Sequence, residues 1–93
     1  MFGFAREKVK GGKLLYVRVN YDEESITDIQ ILGDFFAHPE EGIKDIEGSL
    51  SGVRLEHMDI TNAINETISS GSIELVGVDP DSIAKAILKA AER

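Results

Sequence analysis

The stretch "KLLYVRVNYDEESITDIQIL", residues 13–32, decides the fold because two alternating segments flank one polar turn. Apolar side chains recur at every second position of 13–21 and again of 26–32, which is the period of a half-buried strand. The polar "DEES" between them, residues 22–25, predicts an antiparallel hairpin. The predicted buried face carries Leu15, Val17, Val19, Tyr21, Thr27, Ile29 and Ile31.

A glycine and a change of period follow the hairpin. Gly33 interrupts the alternation, and a glycine at this place indicates a bulge or a close backbone approach. The next segment, "DFFA" (34–37), either prolongs the strand or forms a short third one. A first helix is predicted from Pro39, because proline suits a first helical turn and Glu40 and Glu41 complement the positive end of the helix dipole. Its apolar stripe consists of Ile43, Ile46 and Leu50.

Two further helices flank a short extended segment. Isoleucines at a spacing of four predict a helix over about 56–70, and "SIELVGV" (72–78) is an extended segment that can pair with the sheet. Asp79 as N-cap and Pro80 at the first helical position begin the last helix. These elements predict an α+β domain, in which a small antiparallel sheet, the N-terminal hairpin plus one or two short strands, packs against three helices.

Length and charge limit the function of the chain. Its 93 residues are enough for a single domain, 1–93, whose first dozen residues (1–12) are predicted to form a flexible or interface arm. The net charge of −7 disfavours binding to nucleic acid, and no apolar run reaches the length of a membrane span. With no cysteine, the chain has no disulfide and no thiolate chemistry. We expect a cytoplasmic protein that binds neither nucleic acid nor membrane.

Acidic and histidine side chains gather after Gly33. Asp34, His38, Glu40 and Glu41 stand within eight positions and can in principle hold a metal or transfer protons. The favoured interpretation is structural. The two glutamates interact with the positive end of a helix dipole, His38 lies on the surface at the start of the helix, and Asp34 accepts hydrogen bonds from backbone amides around the bend. The spacing matches no metal signature, so we predict no catalytic residue and no metal ligand on this chain. An isolated His57 near a helix start is interpreted as solvated or capping.

Glycine and aromatic residues give the two remaining signals. "GGK" (11–13) can bring a lysine toward phosphate, but it lacks the Walker spacing, and a flexible lead-in to the strand is favoured. Phe35 and Phe36 point to opposite sides of an extended backbone, so either one of them is offered to a partner or both are covered by the next helix and the arm. Phe2 and Phe4 add apolar surface to the arm, which favours an interface there.

Three segments of the chain resemble a known family. They are "KVKGGKLLYVRV" (8–19), "ITDIQILGDFFAHPEEGIKDIEGSLSGV" (26–53) and "IELVGVDPDSIAKAIL" (73–88). Together they are similar to the accessory or C-terminal domain of lipoate–protein ligases, and the separate small chain resembles the second subunit of the bipartite archaeal ligases. The matching positions are Lys8, Gly11, Gly12, Lys13, Gly33, Asp34, Phe35, Phe36, His38 and Pro39.

The resemblance implies a role in a heterodimer. In that family the large domain binds ATP and lipoate, makes lipoyl-AMP and transfers the lipoyl group to a lysine of an acceptor protein. The ligand-binding domain is missing from this sequence, so a large catalytic subunit is the expected partner, and lipoyl-acceptor proteins are indirect partners. ATP, Mg and lipoate are then cofactors and substrates of the assembled ligase, and the ten matching residues lie near the partner or the adenylate.

Two other functions stay open. The accessory domain resembles in fold the scaffold proteins of iron–sulfur cluster assembly, and an interaction module of that type is the alternative. The lack of cysteine argues against cluster ligation. A free-standing enzyme that uses Asp34 and His38 is the third hypothesis.

Overall fold

The computed structural model describes residues 1–9 and 11–93. Its elements form two sheets and three helices, and the predicted α+β class is confirmed. In chain order they are β1 (Phe2–Lys8), β2 (Leu14–Tyr21), β3 (Ile26–Gly33), β4 (Phe36–His38), α1 (Gly42–Leu50), α2 (His57–Gly71), β5 (Glu74–Val76) and α3 (Pro80–Ala90).

The larger sheet has the strand order β1-β2-β3, and both pairings are antiparallel. The predicted hairpin is therefore β2 and β3, and the predicted inward positions of β2 are all buried. The prediction for one residue of β3, Thr27, was wrong. The register shifts at Tyr21, which pairs with Ile26, so that Ile26 is buried and Thr27 is exposed. An extra residue in one strand reverses the side on which its neighbours point.

The segment predicted as an arm forms the edge strand β1. Its backbone pairs with β2 from Phe2 to Lys8, which differs from the expectation of a flexible arm; Lys10 lies outside the described residues. The inward positions of β1 are Gly3 and Ala5, and a Cβ atom placed on Gly3 would lie 1.8 Å from the Ala90 carbonyl oxygen of α3. Small inward residues allow this close approach, and they also weaken the hydrophobic alternation that identifies a strand.

The smaller sheet pairs β4 with β5, so "DFFA" contributes a separate short strand and the 72–78 segment is its partner. Helix α1 begins at Gly42 rather than at Pro39. The Gly42 N–H donates to the Pro39 carbonyl over 2.9 Å, so a turn precedes the helix, and the peptide bond before Pro39 is cis. Glu41 is the N-cap residue, without a side-chain cap hydrogen bond.

The other helix signals are confirmed. Asp79 caps α3, because its Oδ1 accepts the Ser82 N–H over 2.7 Å, and Pro80 is the first helical residue. Helix α2 begins one residue after Glu56 and ends at Gly71. Helices α1 and α3 pack on the inner face of the β1-β2-β3 sheet, and α2 packs on both helices. Side chains buried between these layers include Leu15, Val17, Val19, Ile46, Leu50, Ile60, Ile64, Ile83 and Ile87.

Candidate functional site

The bend after β3 is held by a close backbone contact at Gly33. A Cβ atom placed there would lie 2.2 Å from the Leu14 carbonyl oxygen and 2.7 Å from the Phe35 ring, so only glycine fits without a shift. The next N–H, of Asp34, donates to the same Leu14 oxygen over 3.0 Å. The predicted close approach at Gly33 is therefore confirmed.

The "GGK" segment connects β1 to β2 as a hydrogen-bonded turn. The Val9 N–H donates to the Lys13 carbonyl over 2.8 Å, and the Gly12 N–H donates to the Val9 carbonyl over 3.0 Å. Gly11 and Gly12 both have positive φ, of 90° and 81°, which glycine adopts readily. The segment is thus a turn between β1 and β2 rather than the predicted flexible lead-in to β2. The Lys13 side chain is exposed.

A third glycine brings the turn and the bend together. A Cβ atom placed on Gly77 would lie 3.3 Å from Phe35 Cβ and 3.6 Å from Lys13 Cγ. We call Lys13, Gly33, Phe35 and Gly77 the junction cluster. Gly77 was missed by the sequence reasoning, although a glycine directly before the "VDP" helix start is a local sign of an irregular backbone.

The two phenylalanines have different environments. Phe35 is half-buried in the junction cluster, whereas Phe36 is 61% exposed and lies opposite Val76, itself 38% exposed, in the β4–β5 pair. Phe36 is therefore the ring exposed to solvent, and the alternative that both rings are covered is wrong. The exposed pair of Phe36 and Val76 gives this small sheet an apolar outer surface.

The other predicted site residues spread outward from the cluster. Lys8 ends β1 and lines a shallow pocket of about 200 Å³ with Glu7, Val9, Ser82 and Lys85. His38 lies opposite Glu74 at the far end of the β4–β5 pair, and Pro39 leads into the turn before α1.

The acidic and histidine side chains of the 34–41 segment form no metal-binding group. Among residues 1–9 and 11–93, no three His, Asp or Glu side chains come close enough to hold a metal ion. Asp34 and His38 are both exposed; Asp34 lies in the bend after β3, and His38 is the last residue of β4.

A charged contact that local sequence could not reveal joins the starts of α2 and α3. His57 Nε2 lies 2.7 Å from Asp81 Oδ1, and Lys85 Nζ lies 3.1 Å from Asp81 Oδ2. The hydrogen bond from His57, followed by that from Lys85, holds the pKa of Asp81 below its ordinary value. His57 is exposed, as predicted, with 46% of its side chain accessible, but its contact with Asp81, which bridges two helices, was not predicted.

A second cavity lies at the opposite end of the hairpin from the junction cluster. It has a volume of about 550 Å³ and is lined by Asp22, Glu23, Glu24, Ser25, Gly52 and Arg54. Three carboxylates make this cavity unsuitable for phosphate.

None of the helices in the described part of the chain is both long and apolar enough to cross a membrane.

The comparisons with known proteins agree with the resemblance. Residues 4–87 match the family described as bacterial lipoate protein ligase C-terminus. The chain belongs to this family. It is 36% identical over 80 residues to lipoate-protein ligase A subunit 2 of Thermoplasma acidophilum. The aligned region covers 86% of this chain and 81% of that protein.

A solved structure supports the family at the level of the fold. The structure is of an archaeal lipoylation system from Thermoplasma acidophilum, a bipartite lipoate protein ligase and its E2 lipoyl domain. One of its chains superposes with a TM-score of 0.79 and 31% identity, over 94% of this chain and 94% of that chain. The junction cluster lies within the part of the chain that matches the lipoate protein ligase C-terminus family, because its four residues all fall between residues 4 and 87.

Proposed function

We propose that this chain is the accessory subunit of a bipartite lipoate–protein ligase and is needed for the ATP-dependent activation of lipoate to lipoyl-AMP. The observation that carries the proposal is a pair of matches. One is to a protein named subunit 2, over 86% of this chain and 81% of that protein, and the other is to a chain from a bipartite ligase structure, over 94% of each chain. The partner is a large catalytic subunit. Lipoyl-acceptor proteins are reached indirectly, through that subunit.

The chain contributes surface and order rather than a nucleophile. It has no cysteine, and its exposed acids and histidines form no metal-binding group in the described residues. In the proposed complex, ATP, Mg and lipoate are bound by the assembled ligase and not by this chain alone. Activation makes a mixed anhydride that water can hydrolyse, so a domain that covers the site and orders its loops favours this step.

The junction cluster is the part of the chain best suited to approach the adenylate. The Lys13 ammonium is an exposed point charge on a flexible stem, and its backbone is fixed by the turn that joins β1 to β2. Phe36 offers an exposed ring nearby in sequence, after the bend that Gly33 fixes. The positive charge of Lys13 in the cluster and the exposed ring that follows Phe35 suit the phosphate and the surrounding apolar surface of a bound acyl adenylate.

The two half-reactions separate activation from transfer. With the large subunit, ATP and lipoate, we expect lipoyl-AMP only when this chain is added. With preformed lipoyl-AMP, we expect the large subunit to lipoylate an acceptor domain with or without it, because the acceptor lysine must reach the same pocket and gains nothing from a cover. Lys13→Ala should slow activation alone, with Lys44→Ala as the matched exposed lysine on α1.

Three results would contradict the proposal. Lipoyl-AMP synthesis by this chain alone would make it an enzyme in its own right. Equal loss of both half-reactions without the chain would mean that it only keeps its partner folded. Full activation by the large subunit alone would remove the need for an accessory subunit.

A further inference from the structure

The β1-β2-β3 sheet has one face without helices. The inner face is covered by α1 and α3, while every strand residue on the other face is exposed or half-buried. We call this second face the outer sheet face. Its side chains are Phe2, Phe4, Arg6 and Lys8 of β1, Leu14, Tyr16, Arg18 and Asn20 of β2, and Asp28, Gln30 and Leu32 of β3.

The outer sheet face is more apolar than a solvated sheet surface. Phe2 is 56% exposed, Phe4 54% and Leu32 49%, on a chain of only 93 residues. Contiguous apolar patches on small soluble proteins mark interaction sites. The strands run antiparallel with Tyr16 opposite Leu32, so these side chains form one patch across three strands rather than scattered single residues.

Two aromatic rings on this face make contacts with neighbouring side chains. Phe4 and Tyr16 have ring centroids 6.3 Å apart, and the Arg18 guanidinium lies 5.7 Å from the centroid of the Phe2 ring. Both contacts fall within the range of favourable aromatic and cation–π pairs. Because these contacts restrain the rings in the free chain, docking immobilises fewer additional rotamers, which lowers the entropic cost of association.

The charge of the face distinguishes between partners. Among the strand residues that lie on the outer sheet face, Arg6, Lys8 and Arg18 are basic and only Asp28 is acidic, although the chain carries a net charge of −7. A second copy docked through the same face would set this basic patch against itself, because a two-fold interface uses the same surface twice. Like charges across an interface disfavour pairing. The face therefore fits a different protein, with an apolar centre and acidic residues around it.

We infer that the outer sheet face is the docking surface for the large catalytic subunit and that this subunit presents such an acidic-rimmed apolar surface. The inference rests on the proposed function, because that function supplies the partner. It assigns binding affinity to Phe2, Phe4, Tyr16 and Arg18, and it leaves the junction cluster to act on the activation step. Aromatic and arginine side chains are the types that dominate the binding energy of protein interfaces.

The test measures the dissociation constant between the full chain and the large ligase subunit from the same source, by isothermal titration calorimetry. Phe4→Ala should raise Kd at least about tenfold, as for an aromatic residue in an interface centre. Arg18→Glu should raise Kd by a similar factor, and Arg18→Gln should reduce the weakening produced by added salt. Met58→Ala is the matched control, since Met58 is a 72% exposed apolar residue on α2, and it should leave Kd unchanged.

Side-chain variants are preferable to a truncation of residues 1–7, because the truncation would also remove Ala5 from the core and most of the β1–β2 pairing. Thermal unfolding of each variant checks that the fold is intact, and Arg18→Glu removes no buried side chain.

The possible failures are distinguishable. If the wild-type chain binds the large subunit but the Phe4 and Arg18 variants change Kd less than about twofold, the docking face lies elsewhere and the proposed function stands. If the wild-type chain does not bind the large subunit at all, the proposed function fails and this inference fails with it. If sedimentation shows a dimer of this chain that Phe4→Ala dissociates, a second copy covers the face and the inference is wrong.

Discussion

The close contact at Gly33 gives the sharpest stability prediction for this fold. In Gly33→Ala the new Cβ would lie 2.2 Å from the Leu14 carbonyl oxygen, about 1 Å inside the usual limit of a C–H···O contact. The end of β3 must therefore move away from β2. Such a shift stretches the 3.0 Å hydrogen bond from the Asp34 N–H to Leu14 and displaces the Phe35 ring, which lies 2.7 Å from the same Cβ.

The cost follows from these two contacts. Losing one partly buried backbone hydrogen bond costs about 1 kcal/mol, and forcing a packed ring aside costs about 1 kcal/mol more. A destabilisation of about 2 kcal/mol lowers the Tm of a domain of this size by about 8–16 °C. Far-UV circular dichroism during heating measures the Tm, and urea unfolding gives the free energy of unfolding.

A second glycine provides a control with the opposite sign. Gly48 lies inside α1, and a Cβ atom placed there meets nothing within 4 Å. Gly48→Ala should stabilise the protein by about 0.5–1 kcal/mol, because alanine loses less backbone entropy than glycine in a helix. A Gly33→Ala protein that melts within about 2 °C of the wild type would refute the reasoning, because that shift corresponds to less than about 0.5 kcal/mol.

Three other outcomes are expected. Asp79→Ala should lower the free energy of unfolding by about 1 kcal/mol in urea titrations, because it removes the cap on the Ser82 N–H, and an unchanged midpoint would contradict the cap. The backbone N–H groups of Glu24 and Ser25 hold the pKa of Asp22 below its ordinary value of 3.8, so the wild type should be more stable than Asp22→Ala above that value, and this difference in the free energy of unfolding should shrink as the pH falls through the folded-state pKa. A difference that grows toward pH 3 would contradict the lowered pKa. Phe36→Ala should slow lipoyl-AMP formation about tenfold at saturating large subunit while Kd changes less than about threefold, and the reverse pattern would move Phe36 into the docking surface.

The hairpin could be predicted from sequence because its signal is local. Leu15, Val17 and Val19 repeat with the period of a strand, and a polar turn separates them from the next alternating segment. The three helices were predicted for the same reason, from apolar spacing and from the Asp79–Pro80 start. Each of these signals depends only on residues that are neighbours along one element.

Strand β1 could not be predicted in this way because its pattern is reversed. Phe2 and Phe4, the large apolar residues, face outward, while Gly3 and Ala5 face the core. A small residue is required at Gly3 because α3 lies against it, and this requirement comes from a helix almost ninety positions later in the chain. Hydrophobic periodicity therefore indicated an arm where tertiary packing makes a strand.

Three of the four residues of the junction cluster were predicted individually, but their arrangement was not. Lys13, Gly33 and Phe35 were singled out from the sequence, whereas their common neighbour Gly77 was not. The contact of His57 with Asp81 joins two helix starts 24 positions apart and has no sequence pattern of its own. Long-range proximity of this kind is set by how the sheets and helices pack, which no local period encodes.

The two surfaces assigned here share the same strands, and this has a mechanical consequence for the proposed complex. Leu14 and Gly33 end the strands whose outer residues, Tyr16 and Leu32, lie on the docking face, and the backbone contact between them fixes the bend before Phe35. A partner bound to that face therefore holds the junction cluster through a few residues of hydrogen-bonded strand rather than through a loop. Sites supported by strands keep their geometry better than sites on loops. The position of Lys13 relative to a bound adenylate then depends mainly on how the sheet docks.

This arrangement separates the effects of two groups of substitutions. Those on the outer sheet face reduce activation because a smaller fraction of the large subunit has this chain bound, so a higher concentration of the chain restores activation. Substitutions in the junction cluster act after binding, and no concentration of the chain compensates for them.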